Sequence, residues 1–402
     1  MGSPLAVVGI GADGLDGLNS HACKEILDAD VVIGGVRHLD LLPVVDGQER
    51  VGLPSPLRSG LRALLESYAG RKVVVLASGD PLLSGIGGTL VDLLGAEQVR
   101  ILPAVSSIAL ARARMGWPAE SVEVVSLVGR DVHALLRVLA PGQRVLVLSA
   151  DESTPASVAS LLDAAGFGAS ELTVLGDLGG PAESRVEGVA ADWRAEATRL
   201  NVVAVTCHGT GLGAVPGLPD DAFEHDGQLT RRDLRASALA RLAPTPGRLL
   251  WDVGAGAGSV GIEWLRVHPT MRAVAVERDP ARAERIGRNA RSLGVPGLDV
   301  VVGTAPGVLA DLPAPDAVFV GGGAGRPGVL EAAMAALAPG GRLVVHGVTL
   351  ETEARLADWH AKLGGELTRI RVETAAAIGR FTGWTPGRAI TQWSLVVGGD
   401  PA

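Results

Sequence analysis

The chain has 402 residues, 47 % hydrophobic and 20 % charged, with a net charge of −8 at pH 7. That length asks for two or three domains, and the composition excludes wholesale disorder. No Lys/Arg run is longer than Arg231-Arg232, so the basic stripe of a nucleic-acid enzyme is missing and a small-molecule substrate is expected instead.

The N-terminus, MGSPLAVVGIG, runs almost directly into a strand. It lacks the basic and apolar regions of a signal peptide, and no apolar run is long enough to span a bilayer. A cytoplasmic protein with no membrane partner is expected. Cys23 and Cys207 lie far apart, and the eight histidines form no HxH or HExxH pattern, so two reduced thiols and no metal site are expected.

Strand candidates follow in order: 5–10, 31–35, 72–78, 99–102, 122–129, 144–149, 171–177 and 201–207. After a break come 249–255, 272–277, 298–303, 316–322, 342–348, 366–373 and 390–397. Helical patterns separate most of them, which predicts an α/β protein with mostly parallel sheets covered on both faces. The last two runs have no strong helix between them and predict a closing antiparallel hairpin. The break, HGTGLGAVPGLPDDAF (208–223), is dense in Gly and Pro and reads as a linker. It divides the chain into 1–210 and 211–402. The front part divides again near Gly116-Trp117-Pro118, into about 1–117 and 118–210.

LLWDVGAGAGSVGIEWL (249–265) is a strand, a glycine cluster and a helix in succession. Gly254, Gly256 and Gly258 let bare backbone approach a ligand, and the helix that follows aims its amide end at the same place. Gly256, Gly258 and Gly261 also satisfy GxGxxG, and Glu277 ends the next strand where a ribose-binding acid stands. A nicotinamide dinucleotide and S-adenosylmethionine (SAM) both remain open on this turn alone. Two features favour SAM. Asp252, inside the strand, disfavours a pyrophosphate and suits turn amides or a ligand ammonium group. Gly303, Thr304 and Ala305, after the third strand, form a small-residue loop on which an adenine can lie. Trp251 and Trp264 are expected in the core.

A chain of motifs in order, PGLPDDAF, LTRRDLRASALARL, LLWDVGAGAGSVGIEW, AVERD, GTAPGVL, PDAVFVGGG and LVVHGVTLETE, resembles the methyltransferases that act on precorrin-6B and also decarboxylate it. The resemblance implies a Rossmann-like class I SAM-dependent methyltransferase domain. It places the cofactor on Gly254, Ala255, Gly256, Ala257 and Gly258, on Glu277, on Ala305 and beside Thr230.

In the front half, GIGADG (9–14), ASGDPLLSGIGGTL (77–90) and PAVSSIALARARMGWP (103–118) resemble the tetrapyrrole methylase family, in the branch that methylates precorrin-6. That resemblance implies two α/β subdomains with SAM in the cleft between them. Ser78, Gly79, Asp80, Leu83 and Ser84 would line one side, with Ser106 and Ser107 nearby, and the loop that includes Gly9 and Gly11 would face the tetrapyrrole. Ala12-Asp13 stands where the family often carries Pro, which leaves open a front half that only holds the substrate. Together the two resemblances imply a bifunctional enzyme of aerobic cobalamin synthesis, with two SAM sites per chain, methylation of carbons 5 and 15, and loss of CO₂ from an acetate arm. A homo-oligomer is expected.

Methyl transfer from a sulfonium is an in-line displacement, in which positioning alone is worth roughly 7–11 kcal/mol, so no catalytic triad is expected. A substrate with many acid arms calls for Arg. Arg231 and Arg235, four apart on a predicted helix capped by Thr230 with Asp233, are the candidates. His346, at a strand's carboxyl end, is a candidate proton donor.

Overall fold

Short runs of Val, Ile and Leu form the strands, and their period-two alternation decides which helix layer each side chain meets. The structure, a computed structural model, describes residues 4–213 and 215–398. It divides into a front unit that extends to Thr210, apart from His133–Leu139, and a back unit made of that segment and the chain from Gly211 onward.

The front unit holds two sheets. The first comprises β1 (Leu5–Ile10), β2 (Val31–Gly34), β3 (Glu49–Gly52), β4 (Val73–Ser78) and β5 (Val99–Leu102), all parallel, in the order β3-β2-β4-β1-β5. In β1, Ala6, Val8 and Ile10 enter one buried cluster and Val7 enters the opposite one, as expected of a strand covered on both faces. The second sheet comprises β6 (Val122–Ser126), β7 (Arg144–Leu148), β8 (Glu171–Gly176), β9 (Ser184–Val189) and β10 (Asn201–Thr206), in the order β6-β7-β10-β8-β9. Only β6 and β7 run parallel; the other pairs are antiparallel. The expectation of mostly parallel sheets therefore fails here. β8 and β9 are joined by a short return without a crossover helix, which makes antiparallel neighbours.

The back unit carries β11 (Leu249–Val253), β12 (Arg272–Glu277), β13 (Asp299–Val302), β14 (Ala317–Val320), β15 (Arg342–Gly347), β16 (Glu366–Ile370), β17 (Glu373–Ile378), β18 (Phe381–Pro386) and β19 (Ile390–Val396). The main sheet has the order β13-β12-β11-β14-β15-β19-β16, with β19 antiparallel to both neighbours. Thus β16 and β19 form the closing antiparallel pair. Between them the chain makes a separate two-stranded ribbon, β17 with β18. Leu250, Ala273 and Phe319 face the helices Arg232–Leu242, Ser259–Arg266 and Pro280–Ser292. Trp251, Val253 and Val345 face Val329–Ala335 and Leu350–Leu363. Trp251 and Trp264 are both core residues, at 2 % and 1 % exposure.

The stretch 208–223 is not a free linker along its whole length. Leu218 and Phe223 are buried in the back core, and the amides of Gly217 and Leu218 donate to the Glu263 carboxylate at 2.6 and 2.8 Å. Two apolar side chains in a Gly/Pro-rich run were enough to dock it. No helix among the described residues is long and apolar enough to cross a membrane.

Candidate active site

The order of the main sheet reverses beside β11, whose neighbours are β12 and β14. Open α/β sheets place their ligand sites outside the carboxyl ends of the strands at such a point. A cavity of about 1110 Å³ opens there. Its walls come from five successive strand ends: Gly254–Gly256, Glu277-Arg278, Gly303–Ala305, Gly321–Gly323 and His346.

The turn after β11 is built from backbone in contact with backbone. Gly254 has φ +70°, and a Cβ there would stand 2.6 Å from the Gly322 carbonyl oxygen. At Gly256, φ +60°, a Cβ would meet the Gln228 carbonyl at 2.6 Å. Both positions therefore require glycine twice over. Glu277 is 4 % exposed and is aimed by its neighbours: one oxygen accepts from the Gly256 amide at 2.9 Å and the other from the Asp279 amide at 3.1 Å.

Of the expected cofactor residues in this half, Thr230, Gly254, Ala255, Gly256, Glu277, Gly303, Thr304 and Ala305 line the cavity. Three do not. Ala257 is fully buried, with its carbonyl accepting from Asn289 at 2.9 Å. Gly258, φ +76°, packs on Ile286 at the start of the helix Ser259–Arg266. Asp252 is sealed beneath the turn at 1 % exposure. One of its oxygens accepts from the Gly261 amide at 2.9 Å, a helix amide and not a turn amide; the other oxygen has no partner among the described residues. Burial, joined by repulsion from Glu277, raises its pKa to about 7, while the Gly261 amide opposes the shift.

Arg231 lines the cavity mouth, 61 % exposed and 3.5 Å from Asp220. Arg235 cannot bind substrate. It is fully buried, with Nε donating to Glu263 at 2.5 Å, Nη1 to the Thr230 carbonyl at 2.5 Å and Nη2 to the Leu218 carbonyl. The expected Thr230/Asp233 cap is also absent: Arg231 holds the cap position, and Asp220 accepts from the Arg232 amide at 2.9 Å. Six arginines line the cavity, Arg231, Arg232, Arg278, Arg282, Arg326 and Arg388, against three carboxylates, Asp220, Asp233 and Glu277. Only Arg231 was foreseen; Arg232 is its chain neighbour, and Arg278, Arg282, Arg326 and Arg388 come from segments far along the chain.

His346 lies at the cavity wall, 8 % exposed, its ring edge-on to Phe319 at 4.9 Å between centroids. Nε2 is 2.9 Å from the Gln392 side chain. Burial pushes its pKa down to about 4, and Arg241 lowers it further. His346 is therefore neutral at pH 7 and does not offer an imidazolium proton.

In the front unit, three loops converge at the carboxyl ends of β1, β4 and β5. Gly79, φ +50°, donates its amide to the Ile10 carbonyl and accepts from the Ala104 amide, both at 3.0 Å. A Cβ on Gly79 would lie 3.0 Å from Ser106 Cα, and one on Gly9 would overlap the Gly79 carbonyl. Asp80 accepts from the Leu82 amide at 2.9 Å, Ser84 is exposed at φ +54°, and Leu83 packs on the cluster around Ile108. Ser106 caps the helix Ser107–Met115 through the Ala109 amide at 3.1 Å. Gly11 bridges to Gly14, away from this junction. The structure adds Arg37 and His38, each 3.0 Å from Ser78 Oγ. Their sequence signal was only a polar pair just after a strand.

Two family models match the chain: tetrapyrrole (corrin/porphyrin) methylases over residues 4–193, and a precorrin methyltransferase domain over 221–397. A precorrin-6Y C(5,15)-methyltransferase [decarboxylating] from Sinorhizobium sp is 48 % identical over 98 % of this chain and 96 % of its own. One from Mycobacterium tuberculosis (strain CDC 1551 / Oshkosh) is 45 % identical over 97 % of this chain and 99 % of its own. The crystal structure of the C-terminal domain of the precorrin-6Y C5,15-methyltransferase from Rhodobacter capsulatus is 46 % identical, covers 46 % of this chain and 98 % of that one, and has a TM-score of 0.43. Site and matches together define a SAM-dependent methyltransferase. The chain belongs to the precorrin-6Y C(5,15)-methyltransferase (decarboxylating) family.

Proposed function

We propose that this chain adds two methyl groups from SAM to a precorrin, at carbons 5 and 15, and removes CO₂ from an acetate arm, within cobalamin synthesis in the cytosol. The observation that carries this reading is the cavity at the reversal of the main sheet. Its glycine floor, its oriented carboxylate Glu277 and its six arginines suit a nucleoside cofactor beside an acid-fringed macrocycle. The donor set fits SAM: Glu277 would accept from the ribose hydroxyls, and the small loop Gly303–Ala305 would leave room for an adenine against backbone. Thr230 stands beside them. When bound, SAM supplies an electrophilic methyl group; the protein aligns it and excludes water. Arg231 and its neighbours hold the carboxylate arms.

A second SAM site is assigned to the front unit at the junction of Ser78, Gly79, Asp80, Leu83, Ser84, Ser106 and Ser107, with Gly9 and Gly11 toward the tetrapyrrole. The dinucleotide alternative loses ground because the relatives matched along nearly the whole chain are methyltransferases. The exposed ribbon residues Ile378, Phe381 and Trp384 support self-association of the chain, which sedimentation would read directly. Calorimetric titration of the whole chain with S-adenosylhomocysteine tests the main proposal. Two molecules per chain are expected; one would remove the front site, and binding of NADH in place of either would refute the reading.

A further inference from the structure

The arginine-rich cavity raises a question of chemistry. A carboxylate paired with a guanidinium is stabilised as an anion. Decarboxylation moves that charge into the ring, so such pairing stabilises the ground state more than the transition state. The arm that leaves needs to be oriented without being pinned by a cation.

His346 is the cavity group suited to this, and its neighbours decide how. It is paired in register with Gln392 across β15 and β19. Gln392 is 1 % exposed, and its amide satisfies its surroundings in one orientation. The nitrogen then donates to His346 Nε2 at 2.9 Å, and the oxygen accepts from Arg241 Nε at 3.0 Å and Ser237 Oγ at 3.3 Å. Arg241 is anchored in turn by Glu366, with Nε 2.9 Å from Oε2. A ring nitrogen that accepts carries no proton, so the proton sits on Nδ1. With Nε2 engaged, Nδ1–H is the only ring N–H left for a ligand in the cavity.

We infer that His346 Nδ1–H receives the carboxylate of the arm that is lost, while the arginines hold the arms that stay, and that Gln392 and Arg241 are positioning residues that fix the tautomer. This rests on the decarboxylase reading of the back unit. In the step itself, the bond between the arm's methylene and its carboxyl carbon breaks. The electron pair enters the conjugated macrocycle, protonated beforehand, and CO₂ leaves. The methylene carbon then takes one proton from water and becomes a methyl group, and the ring gives up the proton it held to the hydroxide left behind; no oxidant or reductant is required.

The test counts methyl groups gained and CO₂ lost separately, by product mass, with the full chain and its precorrin substrate. In His346→Leu the CO₂ lost per methyl gained is expected to fall at least tenfold. His346→Asn, whose amide nitrogen can stand near the place of Nδ1, is expected to recover most of that ratio. A wild-type ratio in His346→Leu overturns the inference, whereas a wild-type protein that neither methylates nor loses CO₂ refutes the underlying reading. Imidazole ¹⁵N shifts of the histidine-labelled protein give an independent readout. The wild type is expected to show a protonated Nδ1 and a bare Nε2, and Gln392→Glu a protonated Nε2 with a reduced CO₂ ratio. A protonated Nε2 in the wild type overturns the tautomer and the inference with it.

Discussion

Asp252→Asn isolates the cost of one buried carboxyl group. In the folded protein the Asp252 pKa is raised to about 7, against about 3.9 for an unfolded chain. Between these values the folded state keeps a proton that the unfolded state has released. Stability from this group is thus fully present below pH 4 and is lost as pH rises through 7. The shift of about three units corresponds to about 4 kcal/mol over the full window, at about 1.4 kcal/mol per unit; about 3 kcal/mol of it falls between pH 5 and pH 8. Asn has the same shape, still accepts from the Gly261 amide and carries no charge at any pH. Urea unfolding of the apo protein, followed by tryptophan fluorescence, suits the measurement because five of the seven tryptophans lie in the back unit. The stability of wild type relative to the variant is expected to fall by about 3 kcal/mol from pH 5 to pH 8. With a slope near 2 kcal/mol per molar, that moves the midpoint difference by roughly 1.5 M. Parallel pH profiles for the two proteins would show that Asp252 is ionised in the fold and would refute the argument.

Arg235→Met strands Glu263 in the core and is expected to cost about 3–5 kcal/mol, read as a lowered melting temperature; a normal melt with weakened substrate binding would return Arg235 to the substrate. Gly254→Ala places a Cβ 2.6 Å from the Gly322 carbonyl at φ +70°, and a loss of S-adenosylhomocysteine affinity of at least tenfold is expected by calorimetry. Affinity within twofold of wild type would mean that this turn does not shape the site. Gly79→Ala at φ +50° pushes on Ser106, so one of the two methyl transfers is expected to disappear while the other, counted by product mass, continues.

Strands with a buried face were legible in the sequence; of those without one, β13 and β16 were read from their Val, Leu and Ile content and the others were not. The run LLWDV is buried at every position; ETAAAI in β17 is exposed at every position, so no alternation marks it. β3 (ERVG) and β9 (SRVEGV) are half-exposed, with charged residues and glycine in place of an apolar run, and they escaped too. The glycine turn was readable because its geometry is local. Arg235 was misread because helical spacing reveals that two residues share a face but not what that face meets; its partner Glu263 lies 28 positions away. Arg37 and His38 reach Ser78 across about 40 positions, a distance over which only the folded chain carries information.

Where Gly254 rests on Gly322, two main chains touch with no side chain between them. A substituent on Gly254 collides before it can alter the shape of the hollow, whereas one on Gly322 has room. The freer ground lies outward, at the guanidinium groups around the entrance. Preference for one ring system over another can drift there while the grip on the methyl donor stays constant.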